Sequence, residues 1–476
     1  SIGKFGGDTD NWIWPRHTGD FSMFRVYASK DNRPAAYSPQ NVPYRPKKHF
    51  SISTKGVKEG DFTMIYGFPG NTQEYILSDA VAYIAERSDP AKIAVRTGRL
   101  DIITKAQESD PALRIHYAAK HASIANAWKK WQGEALGIDR RGTVAAKFDY
   151  ETQFGLWSVG RPEYAGVVMG LRAEYDRIMD AYFAYEITRE TLSTLPAAYT
   201  PEERAEECFA RRKFAEQALW RHAFREYGRC PKVYRTPSYA EGMARYKSPE
   251  AYADALFEAV WEGSDSVAMQ PAVRLREETK RMLDHISWML GTKSLRNLNS
   301  KILNELYTTY IKGLREWDRE RAFYPDANLT LRVAYGSVAG YEYADGEYHK
   351  PQTTLDGIIA KDNPEIYDYD IPQSLRDLYA SKNYGRWGTV IDGRRTVPVC
   401  FLATNHTTGG NSGSPVLNAG GELIGINFDR TWRSTMSDIA FDPAICRNIA
   451  VDIRYVLFVV DRVGGAGYLL KEMTLK

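Results

Sequence analysis

The 476-residue sequence lacks any long apolar run. No stretch of about 18 hydrophobic residues occurs, which excludes a predicted transmembrane helix. It also lacks a dominant charge: 63 Lys and Arg against 60 Asp and Glu leave a formal net charge of +3. That balance argues against nucleic acid or a membrane as the principal partner. Only four cysteines are present, Cys208, Cys230, Cys400 and Cys446. None falls in C-x-x-C spacing, so no structural zinc or dithiol redox site is expected. Two disulfides, Cys208 with Cys230 and Cys400 with Cys446, and four buried thiols are equally open readings, because spacing does not give Cα separations. Phosphate loops and dinucleotide fingerprints are missing too; Gly464-Gly465 lacks the strand–turn–helix setting such a site needs. No cofactor or metal is expected. There is no basic-then-apolar leader, and the chain opens "SIGKFGGDTDNW" without Met, as if entered partway.

What is present is an ordinary globular composition, 43% hydrophobic and 26% charged, with 31 Tyr and 11 Trp. Such aromatic content suits large cores and grooves that hold extended peptides or sugars. The texture changes twice along the chain. Residues 1–75 read as strands and turns, as in "DFSMFRVYA" (Asp20 to Ala28) and "DFTMIYGFPG" (Asp61 to Gly70). From 76 to 321 helical periodicity dominates. Val168, Leu171, Tyr175, Ile178 and Tyr182 share one face, as do Leu303, Leu306, Tyr307, Tyr310 and Leu314. The tripeptides "DPA", "RPE" and "SPE" mark expected helix starts. Residues 322–476 return to strand texture in "NLTLRVAYGSV", "TVPVCFLATN" and "GELIGINFD". No repeat of 20–50 residues is found. The expected class is α+β, with a large helical domain inserted into a β scaffold.

One loop carries chemistry. "GGNSGSPVLNAGGELIGINFDR" sets Ser412 between glycines, followed by Pro415, an apolar strand and a Gly-Gly hairpin. A serine needs a base to take its proton and donors for the oxyanion. Gly410 and Gly413 permit a tight turn in which the N–H groups of Gly410 and Ser412 aim at one point. The order of loop, strand and hairpin resembles the nucleophile region of chymotrypsin-like peptidases, which have G-D-S-G-G-P there. In that fold the triad runs His, Asp, Ser. Asp20 in "HTGDFSMFRVY" precedes an apolar stretch and is the candidate carboxylate, with Asp8 and Asp10 as competitors in a glycine-flanked loop. No histidine fits the base. His17 is too close to Asp20 and reads as structural, and His406 reads as lining a pocket floor or packing at a strand end.

Together, "GGDTDNWIWPRHTGDFSMFRVY", "GGNSGSPVLNAGGELIGINFD" and "CRNIAVDIRYVLFVVDR" resemble the dipeptidyl-peptidase 7 and 11 family of bacterial serine peptidases. The resemblance implies a chymotrypsin-like double β-barrel with its N-terminal part missing here, and a large inserted α-helical domain. It implies removal of dipeptides from free peptide N-termini through an acyl-enzyme on Ser412. Asp20 would orient a His from an N-terminal segment that these residues lack, and Gly410 with Ser412 would form the oxyanion hole. Asn11, Trp12, Asn126 and Asp429 would hold the substrate's amine; Asn126 in "SIANAWKKW" is the least sharply matched. Within the family, Arg at the position of Arg430 goes with acidic preference and Gly with hydrophobic preference. A guanidinium fork suits a carboxylate. The competing reading is a surface Arg430 paired with an acid such as Asp438. Expected partners are oligopeptides with a free N-terminus, not nucleic acid or membrane, with a homodimer as candidate assembly and a periplasmic or secreted location. Two other functions stay open: a glutamyl endopeptidase, and a non-catalytic remnant that binds acidic peptides.

Overall fold

The computed structural model describes residues 2–263, 266–291 and 298–476. The chain divides into two compact units, Ser1–Glu74 with Asp326–Lys476, and Tyr75–Pro325.

The first unit is built on a seven-stranded antiparallel sheet. Its strands are β1 (Phe62–Gly67), β2 (Arg332–Ser337), β3 (Gln352–Thr354), β4 (Pro398–Ala403), β5 (Pro415–Leu417), β6 (Leu423–Arg430) and β7 (Asn448–Asp452), in the spatial order β2-β1-β5-β6-β7-β4-β3. Strands β4 and β7 are buried throughout, which explains why "PVCFLA" and "NIAVD" are nearly continuous apolar runs. Their side chains alternate between two cores. Phe401 and Ala450 join Ile65, Val338, Val416 and Ile424 on one face. Cys400, Leu402, Ile449 and Val451 join Trp387, Tyr455 and Phe458 on the other.

A closed double barrel is not what these ladders form. The remaining strands among the described residues make two-stranded pairs, and the large sheet keeps its edges. Beyond the end of β2, an isolated bridge joins Val338 to Ala403, and Thr404 N donates to Ser337 O at 2.9 Å. The expected strand at Asp20–Ala28 is reduced to Tyr27–Ala28, paired with Val42–Pro43. The spacing of Phe21, Met23 and Phe24 does not alternate. Only Phe21 packs on the core, while Phe24 is 89% exposed.

The second unit is helical. Its longer members are α1 (Asp89–Ser109), α2 (Pro111–Arg140), α3 (Thr143–Ser158), α4 (Val167–Glu190), α5 (Lys213–Tyr227), α6 (Pro249–Glu262), α7 (Ser266–Met289) and α8 (Lys301–Trp317). Leu171, Tyr175, Ile178 and Tyr182 on α4 are buried, as are Leu303, Tyr310 and Leu314 on α8, as their periodicity requires. Two proline tripeptides behave as capped starts: Asp110 accepts from Ala112 N, and Ser248 accepts from Ala251 N. "RPE" does not. Arg161 offers no side-chain oxygen to the helix N–H groups, and a turn intervenes before α4. The first "DPA" continues from the preceding helical turn instead of opening a new helix. All four cysteines are free and buried, which settles the open pairing in favour of thiols.

Candidate active site

The loop between β4 and β5 carries Ser412, and backbone conformation explains its glycines. Gly410 has φ +103°, and a Cβ there would lie 2.3 Å from Phe68 O. Only glycine permits both that angle and that approach. The neighbouring segment locks on through Gly70 N to Gly409 O at 2.6 Å. Among the described residues, no protein acceptor takes the N–H of Gly410 or of Ser412. Ser412 Oγ donates to Phe428 O at 3.3 Å.

Three asparagines brace the loop from beneath. Asn427 Nδ2 donates to Asn411 O at 3.2 Å, and Asn448 Nδ2 donates to Asn427 Oδ1 at 2.9 Å. The backbone adds Gly413 N to Asn427 O at 2.8 Å and Asn427 N to Ser414 O at 2.9 Å. All three side chains are buried, so each bond satisfies a polar group that has left water. Sequence reasoning missed this brace. The signal available was an Asn in each of three segments that are otherwise strongly apolar or glycine-rich.

β6 ends in Phe428, Asp429 and Arg430. Asp429 Oδ2 accepts from Arg16 Nη1 at 2.8 Å and from Trp12 N at 3.2 Å, and Oδ1 accepts from Arg430 N at 2.8 Å. Trp12 takes φ +67°, a left-handed turn in the loop that delivers its N–H. Asn11 beside it is half-buried. Arg16 was also missed from sequence. It is buried, donates to Asp10 O and Thr18 Oγ1, and lies over the Phe428 ring at 5.3 Å. A carboxylate held out of water calls for such a counterion, and the segment from Trp12 to Asp20 contains one.

Asp20 lies at the surface of the same unit. Its carboxyl is raised above the ordinary range, chiefly by desolvation, against the pull of Arg16 and with a push from Asp429. The competitor Asp10 is committed elsewhere: Lys361 Nζ and the Tyr369 hydroxyl donate to its carboxylate, both at 2.8 Å. His17 is buried, and a Cβ on Gly357 would lie 1.9 Å from its Nε2. Burial and the nearby Lys361 and Arg16 push its pKa down to about 3. His406 Nε2 bonds Ser437 O at 2.9 Å and its ring stacks on Phe441. Burial lowers its pKa as well.

Arg430 is 4% exposed, not a surface residue. It is nevertheless paired as the competing reading supposed: Nη1 and Nη2 meet the two Asp438 oxygens at 2.7 and 2.9 Å. Asn126 lies on α2 of the helical unit, where it is exposed, while the other candidate residues belong to the sheet unit. One possible ligand cluster also lies in the helical unit: His116, Glu206 and Cys208. Arg212 already fills it, with Nη1 at 2.6 Å from His116 Nε2 and 3.1 Å from Glu206 Oε2.

The loop serine, beside two unengaged N–H groups, bonds Phe428 O, and the next two strand residues supply a carboxylate and a guanidinium. The sequence pattern of the Peptidase S46 family matches residues 1–213 and 202–475. The chain belongs to the S46 peptidase family. It is 41% identical to an Asp/Glu-specific dipeptidyl-peptidase of Capnocytophaga gingivalis over 100% of this chain and 72% of that protein. It is 42% identical to one from Flavobacterium psychrophilum, over 100% of this chain and 71% of that protein. The crystal structure of Porphyromonas endodontalis DPP11 matches with a TM-score of 0.85 at 32% identity, covering 100% of this chain and 73% of that one. The same S46 enzyme in complex with the dipeptide Arg-Glu matches with a TM-score of 0.83 at 33% identity over the same shares. Among the described residues, no helix of this S46 chain is long and apolar enough to cross a membrane.

Proposed function

We propose that this protein is a serine dipeptidyl peptidase that releases dipeptides from peptide N-termini and prefers Asp or Glu before the cut. One observation carries the reading: three consecutive residues link the parts. Phe428 O meets the Ser412 hydroxyl, Asp429 offers a carboxylate, and Arg430 offers a guanidinium.

Asp429 recognises the substrate's α-ammonium. A carboxylate has about four acceptor positions, and Arg16, Trp12 and Arg430 use three. The fourth, on Oδ1, takes an N–H of the ammonium, with Asn11 next to Trp12 in the same loop. Arg430 reads the acidic side chain of the second residue. Anchoring the amine then places the second peptide bond at Ser412, so the enzyme counts two residues. Ser412 Oγ attacks that carbonyl carbon and gives its proton to a histidine oriented by Asp20. The oxyanion takes N–H bonds from Gly410 and Ser412. The C–N bond breaks as the amine leaves with the proton, and water releases the dipeptide from the acyl-enzyme. The base is assigned neither to His17, which is buried, nor to His406, which is engaged with Ser437.

The Asp/Glu-specific names of the relatives support this function over a glutamyl endopeptidase or a non-catalytic remnant. The bridge of Val338 to Ala403, with one core drawing on six strands, supports reading the large sheet as a curled but unclosed relative of a chymotrypsin-type barrel. Peptide substrates supplied from outside the cell suit a periplasmic or secreted enzyme.

The test is turnover of dipeptide reporters with Asp, Glu, Leu or Phe in second position, alongside an N-acetylated peptide with an internal Glu. Asp and Glu reporters should be cleaved fastest and the acetylated peptide left intact. Equal cleavage after Leu would end the acidic reading, and cleavage of the acetylated peptide would favour the endopeptidase. Arg430→Gly should move the preference to apolar residues.

A further inference from the structure

Arg430 enters the fold with its fork already occupied. Its two terminal nitrogens grip the carboxylate of Asp438 at 2.7 and 2.9 Å, and Nη1 also reaches Thr407 O at 3.1 Å and Ser437 Oγ at 2.9 Å. Both partners are buried, Arg430 to 4% and Asp438 to 8% exposure. This two-point geometry is the one by which a guanidinium takes a carboxylate ligand. Asp438 ends a short 3₁₀ segment, Trp432–Asp438, and its carbonyl is fastened by Gln73 N at 2.5 Å. The backbone is thus anchored while the side chain reaches across to β6.

We propose that Asp438 is an internal occupant of the acidic-residue pocket: its carboxylate holds the Arg430 fork while the pocket is empty and is displaced when a substrate Asp or Glu enters. The inference rests on the reading of Arg430 as the specificity cation and adds the residue that sets how strongly it selects. A buried guanidinium without a partner is costly, so an empty pocket needs a substitute anion. Two carboxylates on one pair of N–H groups repel, so the substitute must withdraw when substrate binds. Acidic recognition is therefore an exchange of one carboxylate for another. Asp438 weakens binding of acidic residues specifically and leaves apolar ones untouched.

Calorimetric titration of the protein with the dipeptides Arg-Glu and Arg-Leu, in wild type and Asp438→Asn, tests this. Wild type should favour Arg-Glu. The variant should bind Arg-Glu about tenfold more tightly and Arg-Leu within about twofold of wild type. Arg-Glu binding that is unchanged or weaker in the variant, with Arg-Leu unaffected, would make Asp438 a fixed support of Arg430 and overturn the proposal. If Asp438→Asn does not fold, a crystal structure of the wild type with Arg-Glu decides. Asp438 drawn beyond about 4 Å from the guanidinium nitrogens supports exchange, and contacts kept at their present lengths overturn it. A wild type that does not favour Arg-Glu removes the Arg430 reading itself, and this inference with it. That result is distinct from a preference that stands while the variant leaves it unmoved.

Discussion

Asp20 and His17, three residues apart, have pKa values moved in opposite directions, and each shift fixes an expected result. Asp20 has a folded pKa above its unfolded value, so its ionised form is disfavoured by the fold. Any stability it lends is present at low pH and lost as pH rises through the folded pKa. Asp20→Asn should therefore melt no lower than wild type at pH 7, yet lose turnover by several orders of magnitude if the carboxylate orients the base. A melting curve and a rate from the same preparation check both. His17 has a folded pKa of about 3, below its unfolded value. Its contribution is full above about pH 6.5 and drains away as pH falls toward 3. Urea midpoints at pH 7 and pH 4 should differ less for His17→Gln than for wild type. At this scale the sequence was readable where chemistry is local. The glycines around Ser412 announce a tight turn, and Gly410 and Gly413 make one. Asp429 and Arg430 were reached only through family resemblance, and Arg16 not at all, because its ion-pair partner lies 413 positions away along the chain.

Among the elements, the β4–β5 loop depends on what lies under it. Asn427 both donates to Asn411 O and accepts from Asn448. Asn427→Ala should leave the buried Asn448 amide and a loop carbonyl unsatisfied, at a cost of about 2–3 kcal/mol. Turnover should fall with little change in KM, because in the proposed mechanism the loop positions the nucleophile and oxyanion donors and does not hold the ammonium. Chemical denaturation and steady-state kinetics would register the two effects separately. The strands β4 and β7 were legible as apolar runs, since each is buried on both faces. Asp20–Ala28 misled because a strand exists only where a second strand offers its edge, and that partner is Val42–Pro43 alone. "RPE" misled for a related reason. Proline fits the first turn of a helix, but the capping oxygen that fixes the start is absent at Arg161.

At the scale of the whole molecule, the β–α–β change of texture was the most legible feature, because periods of 2 and 3.6 residues are set by the backbone and not by distant contacts. The helical unit is tied off where it begins and ends. Tyr75 OH donates to Tyr324 O at 2.5 Å, and its ring stacks on Phe323. Residues 75–325 expressed alone should therefore fold, with helical circular dichroism and a single cooperative melt. A non-cooperative transition would show that the unit needs the sheet. The sheet unit has the opposite character. β1 sits between β2 and β5, strands made more than 250 residues later. As the chain leaves the ribosome, β1 waits without either neighbour while the entire helical unit emerges and folds. The Ser412 loop comes into register only once β6 and β7 have followed. The Ser412 loop is thus assembled by strands made after it, long after the first strand of its own sheet has left the ribosome.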